Sequence, residues 1–256
     1  MTKCNYVINL SRRPDRLQRF LNNKDKTCLK DEDFIIFSAF DGLDYENEIK
    51  RFGIENHLIF QIMKCYKISV SKGVLGCLLS HLLVLQEIIN NTNIDENEYV
   101  GIYEDDFFYC DDFDKKYNEY KKINWSNYDA EFIYTGGRFE KGFDCRNLLE
   151  FNLMFEKTDT PKIVKRTNMI YRNFNWDRCT SSYVVKKGSC KKIIETIITT
   201  FLTNENQKLR FEAIDYVYTC AFNNLTMFDY MPHLFFSPLN YESDIQGNNL
   251  SNVIEF

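Results

Sequence analysis

Hydrophobic positions in this chain fall into short unbroken runs separated by longer periodic stretches. Tyr6-Val7-Ile8-Asn9-Leu10 is mostly apolar and stops at Ser11-Arg12-Arg13-Pro14-Asp15-Arg16, which predicts a strand and then a helix starting near Pro14. Phe34 to Phe40 predicts a second buried strand, halted by Asp41-Gly42. Between Val74 and Asn90 the residues Leu75, Leu78, Leu79, Leu82, Leu83, Leu85, Ile88 and Ile89 recur at helical spacing. So wide an apolar face predicts a buried helix. Tyr99 to Tyr103 predicts a third strand, running into Glu104-Asp105-Asp106, and Phe132-Ile133-Tyr134 a fourth, ending at Gly136-Gly137. A strand over Ser182 to Val185 and helices near 188–202 and 212–223 follow, while residues 138–178 lack periodicity and predict loops around a site.

Strands alternating with helices predict an α/β fold: one domain over residues 1–256 with a mostly parallel, doubly wound sheet and helices on both faces. Ligands of such sheets gather at the carboxyl ends of the strands. The conspicuous polar groups stand there: Arg12 and Arg16, Asp41, the three acids, and Gly136-Gly137-Arg138.

Composition narrows the classes. The chain has 256 residues, 44% hydrophobic and 16% aromatic, with only 10 Gly and 4 Pro, which suits a dense core and excludes collagenous or disordered chains. A net charge of −5 without any basic block argues against nucleic acid or an anionic membrane surface as partner. The nine cysteines are scattered, odd in number and never spaced Cys-x-x-Cys, so no zinc framework is expected. Ser80 and His81 interrupt the longest apolar run, and the start lacks a signal-peptide pattern. These features predict no membrane span, reduced thiols and a cytoplasmic location.

Three adjacent carboxylates repel one another and are costly to desolvate without a cation. Hard oxygen ligands suit Mg²⁺ or Mn²⁺ and leave positions for the oxygens of a diphosphate. Strand alternation puts Glu104 and Asp106 on one face and Asp105 on the other, without deciding which touches metal. A solvated acidic turn is the competing reading, and it suits Asp111-Asp112-Phe113-Asp114 with Lys115 and Lys116 well. Arg12 and Arg16, four apart, would share a helix face and could bond a phosphate or a uracil carbonyl, or form a solvated basic face with Asp15. His81, four residues after Cys77, reads as a hydrogen-bonded core histidine. His57 and His233 carry no signal in isolation.

Taken together, Ile8 to Arg16, Phe40-Asp41-Gly42, Gly73 to His81 and Tyr103-Glu104-Asp105-Asp106 resemble glycosyltransferase family 25, above all the catalytic domains of collagen β-galactosyltransferases. Ile133 to Arg138, Ser182 to Gly188, Ile214-Asp215 and Ser243-Asp244 continue the resemblance in the same order. It implies a GT-A type nucleotide-sugar fold, a UDP-sugar donor with Mn²⁺ or Mg²⁺, and a protein or glycan acceptor, with galactose favoured and hydroxylysine of a collagen-like chain among the acceptors. It further implies that Asn9, Arg12, Arg16, Asp41, Gly42, Ser80, Glu104, Asp105, Gly136 and Gly137 surround the donor. Asp106 and Asp105 would hold the metal, with His233 or Asp244 supplying a further ligand. Asp215 matches the family's acid and becomes the general base of an inverting transfer.

Two positions depart from the family. Val74 stands where an acid is usual, and Asn240 stands near a histidine of the collagen enzymes. A binding protein of the same fold without turnover is therefore the alternative. A two-carboxylate glycoside hydrolase fits less well, because its acids are separated and these are contiguous.

Overall fold

The computed structural model describes residues 2–65, 69–137, 162–165, 180–202, 224–231, 233–236 and 253–255. In chain order the elements are β1 (Thr2–Asn9), α1 (Pro14–Lys24), β2 (Phe34–Ser38), α2 (Tyr45–Phe52), α3 (Leu58–Cys65), β3 (Ser69–Ser71) and α4 (Lys72–Asn90). Next come β4 (Tyr99–Glu104), β5 (Phe108–Tyr109), α5 (Phe113–Tyr120), β6 (Phe132–Tyr134) and β7 (Gly136–Gly137). The last are β8 (Lys162–Lys165), β9 (Ser182–Lys186), α6 (Cys190–Leu202), β10 (Met227–Met231), β11 (Phe235–Phe236) and β12 (Val253–Glu255). The helix expected near 212–223 lies outside the described residues.

Seven strands form the main sheet in the order β2-β1-β4-β9-β6-β10-β8. The expectation of a mostly parallel sheet is corrected here. The pairs β1–β2, β1–β4 and β6–β10 are parallel, whereas β4–β9, β6–β9 and β8–β10 are antiparallel, so the sheet is mixed. An apolar run such as Ser182 to Val185 specifies burial on both faces but not direction, which depends on the end from which the chain enters the sheet.

Alternation along the strands creates two cores. On one face Tyr6, Ile8, Val100, Ile102, Tyr183 and Val185 pack with α4 and α6. On the other, Val7, Tyr99, Tyr103 and Val184 pack with Phe20 of α1 and with Phe113, Tyr117 and Tyr120 of α5. The expected helices on both faces are thus present. Among the described residues, α4 is long and apolar enough to cross a membrane. Here its apolar surface is used inside the protein: Leu75, Leu78, Leu79, Leu82, Leu85 and Ile88 are all buried.

Both ends of α4 are fixed. The Ser71 hydroxyl caps its start by accepting from the Val74 N–H at 3.2 Å. Beyond its last turn, the Lys187 ammonium donates to the carbonyls of Asn91 and Ile94 at 2.9 and 2.7 Å. The first turn also lies unusually close to the chain that follows β2. A Cβ on Gly42 would sit 1.7 Å from the Lys72 carbonyl oxygen, and one on Gly76 would sit 2.9 Å from the Phe40 carbonyl oxygen. Only glycine fits at these two contacts.

Candidate functional site

From β1 the chain passes to β2 on one side and later to β4 on the other, so the sheet order reverses between β1 and β4. A crevice at the carboxyl ends of the strands is expected at such a switch point. An open cleft, about 690 Å³ with its solvent-filled mouth included, lies there. Its walls are Ile8 and Leu10 at the end of β1, Arg12 and Arg16, Ala39 to Leu43 after β2, one face of α4, and Glu104 to Asp106 at the end of β4.

Strand β4 ends at Glu104, and Asp105 and Asp106 form a turn. Strand alternation therefore does not extend through the acids, and all three line the cleft together. The parallel register sets Ile8 opposite Glu104, which makes Asn9 and Asp105 neighbours. The Asn9 amide donates to Asp105 Oδ2 at 2.5 Å and to the Arg13 carbonyl at 3.1 Å. Both of its N–H groups point into the protein, so Asn9 orients Asp105.

Arg16 is buried with its Nη1 3.3 Å from Asp106 Oδ2 and 3.8 Å from Asp105 Oδ1. It is the fixed counter-charge of the acid turn. One guanidinium between two carboxylates leaves a deficit. Burial, then the neighbouring Glu104 and Asp105, pushes Asp106 up to about 7 despite Arg16 and Arg19. Burial likewise raises Asp105 to about 6, against the lowering by Asn9 and Arg16. Asp106 Oδ1 is buried and accepts no hydrogen bond. Such an oxygen, beside a cleft and short of positive charge, fits a hard divalent cation.

Glu104 behaves differently. Burial raises its pKa, but His81, Thr180 and Arg16 together outweigh that and hold it below its ordinary value. His81 Nε2 lies 3.3 Å from Glu104 Oε1, and the Thr180 hydroxyl donates to the same oxygen at 2.5 Å. The other imidazole nitrogen, Nδ1, is 2.7 Å from the Tyr183 hydroxyl. One helical turn before His81, Cys77 faces the same way, and ligand atoms of Cys77, His81 and Glu104 all lie within 4.8 Å of one another. The three form a candidate metal-binding cluster. His81 is the buried, hydrogen-bonded histidine that its place on the leucine-rich helix predicts, and it also faces Glu104. The spacing Cys77-x-x-x-His81 was the available signal, and only the approach of Glu104 from β4 gives it meaning.

The remaining expected residues are placed as follows. Arg12 precedes α1 rather than sharing its face with Arg16, and its Nε donates to Asp41 Oδ2 at 2.7 Å. Asp41 also accepts from the Leu43 N–H at 3.0 Å, which caps a short turn of 3₁₀ helix. The Ser80 hydroxyl accepts from the Phe40 N–H at 2.9 Å and donates to the Gly76 carbonyl at 2.7 Å, tying α4 to the end of β2. Gly42 and Ser80 line the cleft while serving the packing beneath it.

Gly136 and Gly137 are not among the cleft-lining residues. They form β7 beside β11, and a Cβ on Gly136 would meet the Ser181 hydroxyl at 2.6 Å. His233 is buried with Nε2 3.8 Å from Asp229 Oδ1, also away from the cleft lining. Val74 packs against the core at the start of α4. Asp215, Asn240 and Asp244 lie outside the described residues.

The family model described as glycosyltransferase family 25 (LPS biosynthesis protein) matches residues 2–223. The chain is also similar to a protein of Acanthamoeba polyphaga mimivirus named procollagen lysyl hydroxylase and glycosyltransferase. The two are 30% identical over 145 residues, which is 52% of this chain and 15% of the viral protein.

Proposed function

Because this chain belongs to glycosyltransferase family 25 and is an enzyme of that class, we propose that it moves a hexose, galactose favoured, from a UDP-sugar to a hydroxyl acceptor with inversion. The observation carrying this reading is the unpaired, buried Oδ1 of Asp106 beside the cleft at the strand ends. The proposal includes a GT-A type fold, residues 1–256 as one catalytic domain, and a cytoplasmic setting.

Asp106, with Asp105 or Glu104, would hold a divalent ion of the Mn²⁺ or Mg²⁺ class. When bound, that ion supplies positive charge for the departing diphosphate. The protein's own groups do the remaining work. Asn9 keeps the Asp105 carboxylate turned towards Arg16, so the protein's own groups hold the acid turn in place. Arg12, partly exposed and anchored on Asp41, donates to the nucleotide, and Asp41 retains lone pairs for a ribose or uracil group. Leu10, Phe40 and Leu43 wall the cleft with apolar surface that keeps water from the reacting carbon. Asp215, by resemblance, takes the proton from the acceptor hydroxyl, and Asn240 or Asp244 in the closing segment would supply the further metal ligand in place of His233, which lies away from the cleft lining.

The viral relative's name supports hydroxylysine of a collagen-like chain as the acceptor, with a glycan as the other candidate. A panel of UDP-sugars assayed for UDP release with Mn²⁺ and with EDTA tests the reading. Release with UDP-galactose, raised by a hydroxylysine peptide and lost with chelator, is the expected pattern. Metal-independent release, or none with any UDP-sugar, rejects it.

A further inference from the structure

We propose that Cys77, His81 and Glu104 form a second, thiolate-type metal site in the floor of the donor cleft, one that takes Zn²⁺ and closes the cleft to the nucleotide sugar. The closure rests on the donor site proposed above; the metal site itself does not.

The geometry is close to that of a bound ion. A nitrogen and an oxygen ligand of tetrahedral zinc, each about 2.1 Å from the metal, lie about 3.4 Å apart. His81 Nε2 and Glu104 Oε1 are 3.3 Å apart. With all three ligand atoms within 4.8 Å, the Cys77 thiol needs a movement of about 1 Å to complete the set, which a side-chain torsion supplies. Cys77, His81 and Glu104 all line the cleft, so the fourth position opens into it.

The surroundings hold the imidazole as metal-binding histidines are commonly held, by a partner on the other ring nitrogen. His81 Nδ1 is engaged by Tyr183, whose fully buried ring stacks on Phe132 at 4.8 Å and 8°. Nε2 is thereby turned to the cleft. The Thr180 hydroxyl donates to the same Glu104 Oε1 and holds it in place beside Nε2.

The ligand types decide the metal. Sulfur, nitrogen and one carboxylate oxygen favour zinc, whereas Asp105 and Asp106 offer only oxygen and favour Mn²⁺ or Mg²⁺. Glu104 belongs to both neighbourhoods. Zinc would withdraw it from the acid turn, place two positive charges beside Asp105, and occupy space needed by the donor. Binding releases the thiol proton to the buffer.

Cobalt(II) titration of the full chain tests this, since a thiolate ligand gives cobalt a near-ultraviolet charge-transfer band that oxygen ligands do not. We expect one such band in the parent protein, its loss in Cys77→Ala, and its retention in Asp106→Asn. Tyr183→Phe should keep the band and weaken zinc about 10-fold to 100-fold, the usual cost of losing an outer partner. This variant also serves if Cys77→Ala does not fold. A parent without the band, a band unchanged in Cys77→Ala, or unchanged zinc affinity in Tyr183→Phe overturns the site. Binding of UDP-galactose with Mn²⁺ should fall as zinc is added; donor binding that persists at saturating zinc overturns the closure. A thiolate band in a protein that releases no UDP from any UDP-sugar would instead reject the transferase reading and leave the zinc site standing.

Discussion

At the scale of single residues, the acid turn makes its own test. Asp106 sits at about 7 in the folded protein because of burial and two neighbouring carboxylates, well above the ordinary 3.8. Below pH about 4 both folded and unfolded chains keep this proton; between about 4 and 7 only the folded chain does. The group's contribution to stability is therefore full in acid and lost as pH rises to about 7. Glu104, held low, works in the opposite sense, its contribution falling away in acid. In metal-free protein, Asp106→Asn should abolish the first trend: the parent should melt progressively lower than the variant as pH rises from 4 to 7. Identical pH profiles would show that Asp106 is not buried against its neighbours. The same residue separates fold from activity, since Asp106→Ala removes no core packing yet should abolish UDP release. Near-normal release would remove Asp106 from the mechanism. For Asp215→Asn, proposed from resemblance, donor binding should survive while transfer falls by roughly two decades or more; unchanged transfer reassigns the base.

At the scale of elements, the cleft depends on how closely α4 approaches the end of β2. Gly42 and Gly53 make a paired prediction. An alanine methyl at position 42 meets the Lys72 carbonyl oxygen at 1.7 Å, a backbone atom that moves only if α4 moves. Gly42→Ala should cost roughly 3 kcal/mol or more and weaken donor binding in parallel. At Gly53 there is open space but φ is +62°, so Gly53→Ala should cost only about 1–2 kcal/mol and leave donor binding alone. Chemical denaturation and nucleotide titration of both variants check this. Equal losses of stability, or intact donor binding in Gly42→Ala, would show that the glycine contact does not shape the cleft. The elements were legible only in part: α2, α3 and the main-sheet strands β8 and β10 had no counterpart in the sequence pattern, and β8 falls in the stretch expected to be loops. The Leu-rich period over 74–90 became α4, and Pro14 opened α1. The two-residue strands β5, β7 and β11 were not legible, since so short a segment has no period to read.

At the scale of the whole molecule, metal and nucleotide should stabilise the fold together. A ligand present at 100 times its dissociation constant adds about 2.7 kcal/mol, or roughly 5–11 °C in melting temperature for a chain near this size. UDP with Mn²⁺ should produce a shift of that order, and UDP with EDTA a much smaller one. Equal shifts in the two conditions would argue against a cation bridging protein and diphosphate.

The sequence by itself determined the two-faced sheet, the buried α4 and the position of the acid run at a strand end, because periodicity, turn residues and charge are local properties of the chain. Tertiary structure alone decided the reversed direction of β9, the pairing of Asn9 with Asp105, and the meeting of Cys77 and His81 with Glu104. Each depends on which segments become neighbours after folding. Strand order and register bring together residues dozens of positions apart, and no local pattern records that distance.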